Sequence, residues 1–324
     1  MASGVCVGRL PEMRPPLLTP AIVGLLISSA CLGCGHAPAR SEPRREDVEA
    51  AVDAEDGVFS FESVPFGFHT RSYWIEGPDG VVVIDTQFMP SEAERLLRTI
   101  AAHTDAPVRL AIVLHANPDK FNGTAVFRAH GIPVVSSSQV LSYVPHVHEI
   151  RTRAFRDRYA PDYPEAPPPL ESFGDVSRTL EVAGLSLGLH VMGAGCSEAH
   201  VVVTHGRHAF VGDLVAPGGH AWLELGHLTP WHARLDEIAA LAPARIHPGR
   251  GRSGGPDLLA AQHQYLTTVA TLTETVQRER GESATEESLA ELRARIEAAF
   301  PGFSYPIFLR IGAPAVWASV AAGR

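Results

Sequence analysis

The sequence predicts a layered domain of mixed α and β structure, α+β or α/β, and three observations predict it. Short apolar and β-branched runs fall into two groups, one on each side of a proline-rich stretch. Stretches with helical periodicity lie between these runs and after them. Both kinds of element must bury a face, and stacking sheets and helices in layers does so. Of the 324 residues, 45% are hydrophobic and 19% charged, which supplies the apolar material for a sizeable core.

In chain order, 57–63 and 72–75 read as short strands. Asp79-Gly80 is a turn signal before the apolar run 81–84, which ends at Asp85-Thr86. Residues 91–102 read as a helix with Leu96, Leu97 and Ile100 on one face. A buried strand over 108–114 ends at His115, followed by a short helix at 124–130, a strand at 132–136 and a largely helical stretch at 138–159. Pro161, Pro164, Pro167, Pro168 and Pro169 make 160–175 an extended loop. Strands return at 178–182, 185–191, 200–204 and 209–211, then a helix at 230–241 and a short strand at 245–246. Pro256 opens a long helix whose stripe is Leu259, Leu266, Val269, Leu272 and Val276. Ser283 and Glu286 match a capping box before Leu289, Leu292 and Ile296. The pattern assigns no element to 301–324.

The N-terminal residues 1–34 read as an export signal. Arg14 precedes the charge-free apolar run 17–33, which small residues and cysteines close. Pro20 and Gly24 interrupt that run, and it falls short of the ~20 residues of a membrane-spanning helix. Its end resembles a bacterial lipoprotein signal, in which a small residue precedes the cysteine to be lipidated. Gly33-Cys34 fits, as does Ala30-Cys31, although both lack the usual leucine three places earlier. Polar residues 35–56 read as a tether. The expectation is an exported protein, periplasmic or held at the membrane only by lipid on Cys34 or Cys31. With Cys6, Cys31 and Cys34 removed or lipidated, Cys196 is the one free thiol.

Composition excludes several classes. Four cysteines cannot staple a chain of this length into a disulfide scaffold. The 27 Lys and Arg against 36 Asp and Glu give a net charge of −9 without a long basic stretch, so no nucleic-acid partner is expected. A small-molecule substrate or ligand is the expected partner.

Polar residues of catalytic and metal-binding type gather just after the expected strands, in four clusters: 115–123 (HANPDKFNG), 193–200 (GAGCSEAH), 211–214 (VGDL) and 246–251 (IHPGRG). Each also has an ordinary reading. His115 can bond a backbone carbonyl at a strand end, Cys196 can be a small buried apolar residue, and Asp85 and Asp213 can form turns or caps. Trp222, in the stretch 220–224, can line a pocket or pack in the core.

The order of these clusters resembles the metallo-β-lactamase superfamily: a strand with Asp-Thr, a helix, a strand with an H-x-H-x-D-H loop, a Gly-His-Thr loop, a Gly-Asp after a strand, and Pro-Gly-His-Gly. The resemblance runs from about residue 57 to about residue 265. It implies an α+β fold, a four-layer αββα sandwich with its loops converging at one edge of two sheets, here over 57–324 with extra C-terminal helices. It also implies a site for a pair of zinc ions. Residue by residue, the seven ligand positions read His115, Asn117, Asp119, Lys120, Cys196, Asp213 and Arg250. Four of the seven depart from the family pattern: Asn117, Lys120, Cys196 and Arg250.

Charge chemistry sorts these departures. Lysine and arginine offer no lone pair while charged, and two cations repel a third. The expectation is that Lys120 and Arg250 pair with Asp119 and Asp213 in place of the second metal. At the first site, His115, Cys196 and Asp213 form a three-ligand set for one zinc, which would lower the pKa of a bound water to ~7. Asp119 would orient that water or act as base, and Asn117 would hydrogen-bond water or substrate. Asp85, His200 and His247 would support the site from behind. Two readings result: a hydrolase with one zinc at most, acting on an ester, thioester or amide bond, and a metal-free binding protein on the same fold with Lys120 and Arg250 open to an anion. A thiol enzyme with Cys196 as nucleophile and His200 or His115 as base is a third.

Overall fold

Residues 80–84 (GVVVI) are buried at every position, as in a strand covered on both faces. They lie in the middle of the first of two sheets. The computed structural model describes residues 53–55 and 57–323. The signal segment 1–34, with Cys31 and Cys34, and the tether apart from 53–55 lie outside the described residues.

The first sheet holds β1 (Asp53–Glu55), β2 (Val58–Glu62), β3 (Arg71–Gly77), β4 (Gly80–Ile84), β5 (Val108–Ile112), β6 (Val134–Ser136) and β7 (Glu171–Ser172), in chain order. Its first four strands pair antiparallel, and β4 to β7 pair parallel. The second sheet runs β12-β11-β10-β9-β8, from β8 (Arg178–Val182), β9 (Leu185–Met192), β10 (His200–His205), β11 (His208–Gly212) and β12 (Arg245–Pro248).

The period-two alternation of β10 shows how the layers stack. Val201 and Val203 face the core between the sheets, beside Ile84 and Ile112. Val202 faces the opposite way, into a second core with Trp231, Leu266 and Trp317. The helices α1 (Pro90–His103), α3 (Thr124–Ala129) and α4 (Ser138–Tyr159) accompany the first sheet. Leu96, Leu97 and Ile100 of α1 are buried in its core, as their spacing predicts. The helices α5 (Leu228–Ala240), α6 (Asp257–Arg280), α7 (Glu286–Ala299) and α8 (Pro306–Ala322) cover the second sheet. The result is the αββα sandwich with added C-terminal helices. Among the described residues no helix is long and apolar enough to cross a membrane.

Several local readings need correction. Strand β1 takes three residues from the expected tether, and β7 interrupts the expected loop 160–175. The N-cap of α7 is Thr285 rather than Ser283: its side chain accepts from the Ser288 amide, two residues nearer the apolar stripe. Helix α8 begins with Pro306 at its first turn and continues through Pro314, although proline inside a helix removes a backbone donor.

The sheets meet where the site is built. The Val201 amide donates to the Leu114 carbonyl at 2.7 Å, and His115 and His200 form an isolated bridge. The ends of β5, β10 and β11 are thereby held side by side.

Candidate functional site

The loop after β5 folds back as a short helix, α2 (Pro118–Phe121), with Asn117 as its N-cap in extended conformation. This turn directs Asp119 and Lys120 inward, and the Lys120 carbonyl is fixed by the Thr86 amide at 2.8 Å and the Thr86 hydroxyl at 2.8 Å. Asp213 follows β11 directly. Arg250 follows β12 on a loop pinned from both sides: the Gly249 amide donates to Gly212, and the Gly249 carbonyl accepts from the Arg71 amide, both at 2.9 Å.

These loops bring two carboxylates and two cations together. Lys120 Nζ lies 2.8 Å from Asp119 Oδ2 and 3.0 Å from Asp213 Oδ1. Those are ion-pair distances, although the ammonium is off the direction of a good hydrogen bond. Arg250 donates from Nη1 to Asp213 Oδ2 at 2.6 Å and from Nη2 to Asp119 Oδ2 at 2.8 Å. Its Nε donates to the Phe68 carbonyl at 3.2 Å. The Lys120 side chain is fully buried.

Burial opposes every charge here, and the pairing decides the outcome. Burial lowers the pKa of Lys120, but Asp119 and Asp213 outweigh it and hold the pKa above the ordinary lysine value. Arg250 is raised by the same two carboxylates against its burial. Burial would raise Asp119 and Asp213, yet Arg250 and Lys120 hold both below the usual carboxylate range, Asp213 well below.

Asp85 behaves differently because its Oδ2 is 4.0 Å from Lys120, too far for the ammonium to offset burial. Desolvation pushes its carboxyl up to about 8, although Lys120 and the Leu114 amide, which donates to Oδ1 at 2.9 Å, both favour the charged form. The signs for stability are therefore opposite. Asp119 and Asp213 contribute above the ordinary value near 3.8, and that contribution is lost as the pH falls through their lower folded values. Asp85 binds its proton more tightly when folded, so its contribution is full below about 4 and is lost as the pH rises toward 8. Asp85→Asn is expected to flatten the fall in stability between pH 6 and pH 8, worth at most about 1.4 kcal/mol per pH unit. Urea melts at the two pH values measure this; an unchanged fall in the variant would show that Asp85 is ionised throughout.

Behind the ion pairs, Cys196 Sγ lies 3.2 Å from His200 Nε2. His200 Nδ1 donates to the Gly193 carbonyl at 3.0 Å, which leaves Nε2 as acceptor for the Ser197 amide and the thiol. Burial, with His115 nearby, pushes His200 down to about 3, and burial holds the Cys196 thiol well above its ordinary value. The pair is therefore a neutral thiol on a neutral imidazole. Both ring nitrogens of His115 are buried without a hydrogen-bond partner among the described residues, and Nε2 is 3.7 Å from Asp213 Oδ2. His247 lies outside the cluster, between His208 at 2.9 Å and the Ser253 hydroxyl at 2.8 Å.

This donor set does not fit a zinc ion. Each oxygen of Asp213 already faces a cation within 3.0 Å, and Cys196 Sγ is engaged with His200 Nε2 at 3.2 Å. Of the three expected ligands only His115 offers an unengaged lone pair. Among the described residues, no three His, Cys, Asp or Glu side chains are grouped to hold a metal. Lys120 is also unsuited to receive an anion, because it is fully buried and paired twice. Asp119, expected as a base or water guide, is occupied by Lys120 and Arg250. Asn117 serves through its backbone, whose carbonyl accepts from the Lys120 amide at 2.9 Å.

Arg250 and Asp213 form the floor of a cavity of about 210 Å³. Glu62 and His69 stand at its side, with Trp222 and His220 from the loop after β11 and Ser304, Tyr305 and Phe308 from the C-terminal segment. Of these, the sequence singles out the stretch with His220 and Trp222. It carries no signal for Glu62, His69, Tyr305 or Phe308, which arrive by tertiary packing.

Comparison with known proteins bears on this architecture. The family model for the metallo-beta-lactamase superfamily matches residues 65–250. A metallo-beta-lactamase from Pontibacter korlensis superposes with a TM-score of 0.53 at 20% identity, covering 68% of this chain and 99% of that one. The FIM-1 metallo-beta-lactamase of Pseudomonas aeruginosa in its mono-zinc form gives a TM-score of 0.53 at 20% identity, covering 68% and 96%. No curated protein matches the sequence. Ser304, Tyr305 and Phe308 lie beyond the matched segment.

Proposed function

Because the chain belongs to the metallo-beta-lactamase superfamily, we propose that it uses the family's site as a metal-independent binding site for a small molecule. The ammonium of Lys120 and the guanidinium of Arg250 take the place of metal charge. One observation carries this reading: the two cations engage both oxygens of Asp213 and share Asp119. A hydrolase with one zinc would need Asp213 to leave both of its ion pairs. A thiol enzyme with His200 as base would need Cys196, whose thiol burial holds well above its ordinary value, to give its proton to an imidazole pushed down to about 3. The arrangement supports holding a ligand above Arg250 and supplies no activated nucleophile.

Export belongs to the same proposal. The apolar run 17–33 and the small residues before Cys31 and Cys34 support an exported protein, either periplasmic or membrane-anchored by lipid on one of those cysteines.

Elemental mass spectrometry on the protein recovered from producing cells tests the binding reading, beside a Cys196→Ser variant. Neither is expected to carry stoichiometric metal, and chelation should leave the melting temperature unchanged. About one zinc per chain in the parent, lost in the variant, would return the site to a single-metal hydrolase. The intact mass of the same preparation reads out export: a chain that still begins at Met1 would sink it.

A further inference from the structure

We infer that the cavity above Arg250 takes an uncharged small molecule with a planar or apolar body, and that the C-terminal residues Tyr305 and Phe308 select it. This rests on the metal-independent binding reading.

The charges that reach the cavity cancel in pairs. Arg250 is bound to Asp213 and Asp119, and Glu62 is held by Arg71 at 2.7 Å and by His69 at 2.9 Å. An ionised ligand would lose its hydration without finding an unpaired counter-charge, and burying an uncompensated charge is costly. A neutral ligand avoids that cost. It can still accept a hydrogen bond from Arg250, because the guanidinium has five N–H groups and its bonds to Phe68, Asp213 and Asp119 use three.

The wall is aromatic. Tyr305 and Phe308 stack at 5.0 Å and 12°, and Trp222 meets Phe308 edge-on at 4.9 Å and 85°. The guanidinium carbon of Arg250 lies 5.7 Å from the Phe308 ring and 6.0 Å from the Tyr305 ring. Such faces favour a planar or apolar body.

The backbone that holds this wall is strained. Tyr305, Phe68 and His69 have φ of 64°, 65° and 50°, which side-chain-bearing residues rarely adopt. The Phe68 carbonyl accepts from both Arg250 Nε and the Tyr305 hydroxyl, at 3.2 and 3.1 Å. Ser304 is tied to the facing loop, its carbonyl accepting from the His220 amide at 2.9 Å and its amide donating to Gly218 at 3.0 Å. Strain held by surrounding bonds and gathered at one cavity is a mark of function. Tyr305 and Phe308 lie beyond the segment matched by the family model, whereas Trp222 lies within it.

Three probes of nearly one shape separate charge from fit: benzamide, benzoate and benzamidinium, titrated by calorimetry into the intact processed protein. Benzamide is expected to bind about tenfold tighter than either ion. Tyr305→Ala and Phe308→Ala should each weaken it about tenfold, as loss of a buried aromatic contact does. Tyr305→Phe, which keeps the ring, should remain within about threefold. Melting curves establish that each variant is folded. Equal or tighter binding of benzoate or benzamidinium overturns the inference, as does the absence of benzamide binding to folded protein. Metal content measured on the same sample separates the two levels: stoichiometric zinc removes the underlying reading, whereas metal-free protein that prefers an ion removes only the ligand class.

Discussion

Lys120→Met is expected to destabilise the protein by about 3–5 kcal/mol at neutral pH, the usual cost of removing one partner from a buried ion pair. Methionine keeps most of the lysine stem, so the packing of this fully buried side chain is largely retained and the loss is electrostatic. What remains is Asp119 and Asp213, both buried, sharing the single cation Arg250. Their pKa values should rise toward and above the ordinary value. The stability they contribute in the parent, present above about pH 4, should then be reduced. The deficit of the variant is therefore largest near pH 7 and shrinks as the pH falls to about 4, where a carboxyl can take a proton instead. Adding Asp119→Asn to Lys120→Met restores charge balance and should recover part of the loss, giving a coupling of about 1–3 kcal/mol in a double-mutant cycle. Urea denaturation of the four proteins measures it. A loss below about 1 kcal/mol for Lys120→Met would mean that the cluster tolerates an unpaired carboxylate, and the idea that Lys120 substitutes for metal charge would go with it.

The layered α+β fold was legible because it depends on local periodicity. The alternation in 200–204 sends Val201 and Val203 one way and Val202 the other, and that alternation is written in consecutive residues. The pairing of Lys120 and Arg250 with Asp119 and Asp213 was legible through chemistry: two cations at strand-end positions beside two carboxylates have few other arrangements when buried. The three-ligand zinc set was harder to judge. Whether Asp213 can reach a metal depends on both of its oxygens, and only geometry shows each facing a cation. Helix α8 was not legible, since it carries apolar residues on both faces. Leu309, Val316 and Trp317 are buried while Ile307 and Ile311 are exposed, so there is little contrast to give a period. The cavity wall was beyond reach for a different reason. The bond from Tyr305 to Phe68 spans 237 residues, and nothing near either residue encodes it.

Gly249→Ala is expected to cost about 3 kcal/mol, the upper end for inserting a methyl group into a packed site, although it adds no charge and φ there is ordinary. A Cβ at this position would lie 2.2 Å from Asp213 Oδ1 and 2.4 Å from Lys120 Nζ. A lysine tip would normally swing aside, but Nζ is held by Asp119 and Asp213 in a site without exposed volume. The backbone cannot retreat either, because the Gly249 amide and carbonyl are bonded to Gly212 and Arg71 on opposite sides. The methyl group must therefore pry apart the Lys120–Asp213 pair. Gly131→Ala is the control: its φ is +75° and a Cβ there meets nothing within 4 Å, so it should cost about 1 kcal/mol from backbone strain alone. Denaturation of both variants decides the matter. If Gly249→Ala costs no more than Gly131→Ala, Lys120 and Asp213 move freely and their pairing is too loose to hold Arg250 beneath a ligand. If it costs the larger amount, the absence of a side chain at 249 is a requirement of the ion-pair cluster, which needs its cation and its carboxylate where a Cβ would stand.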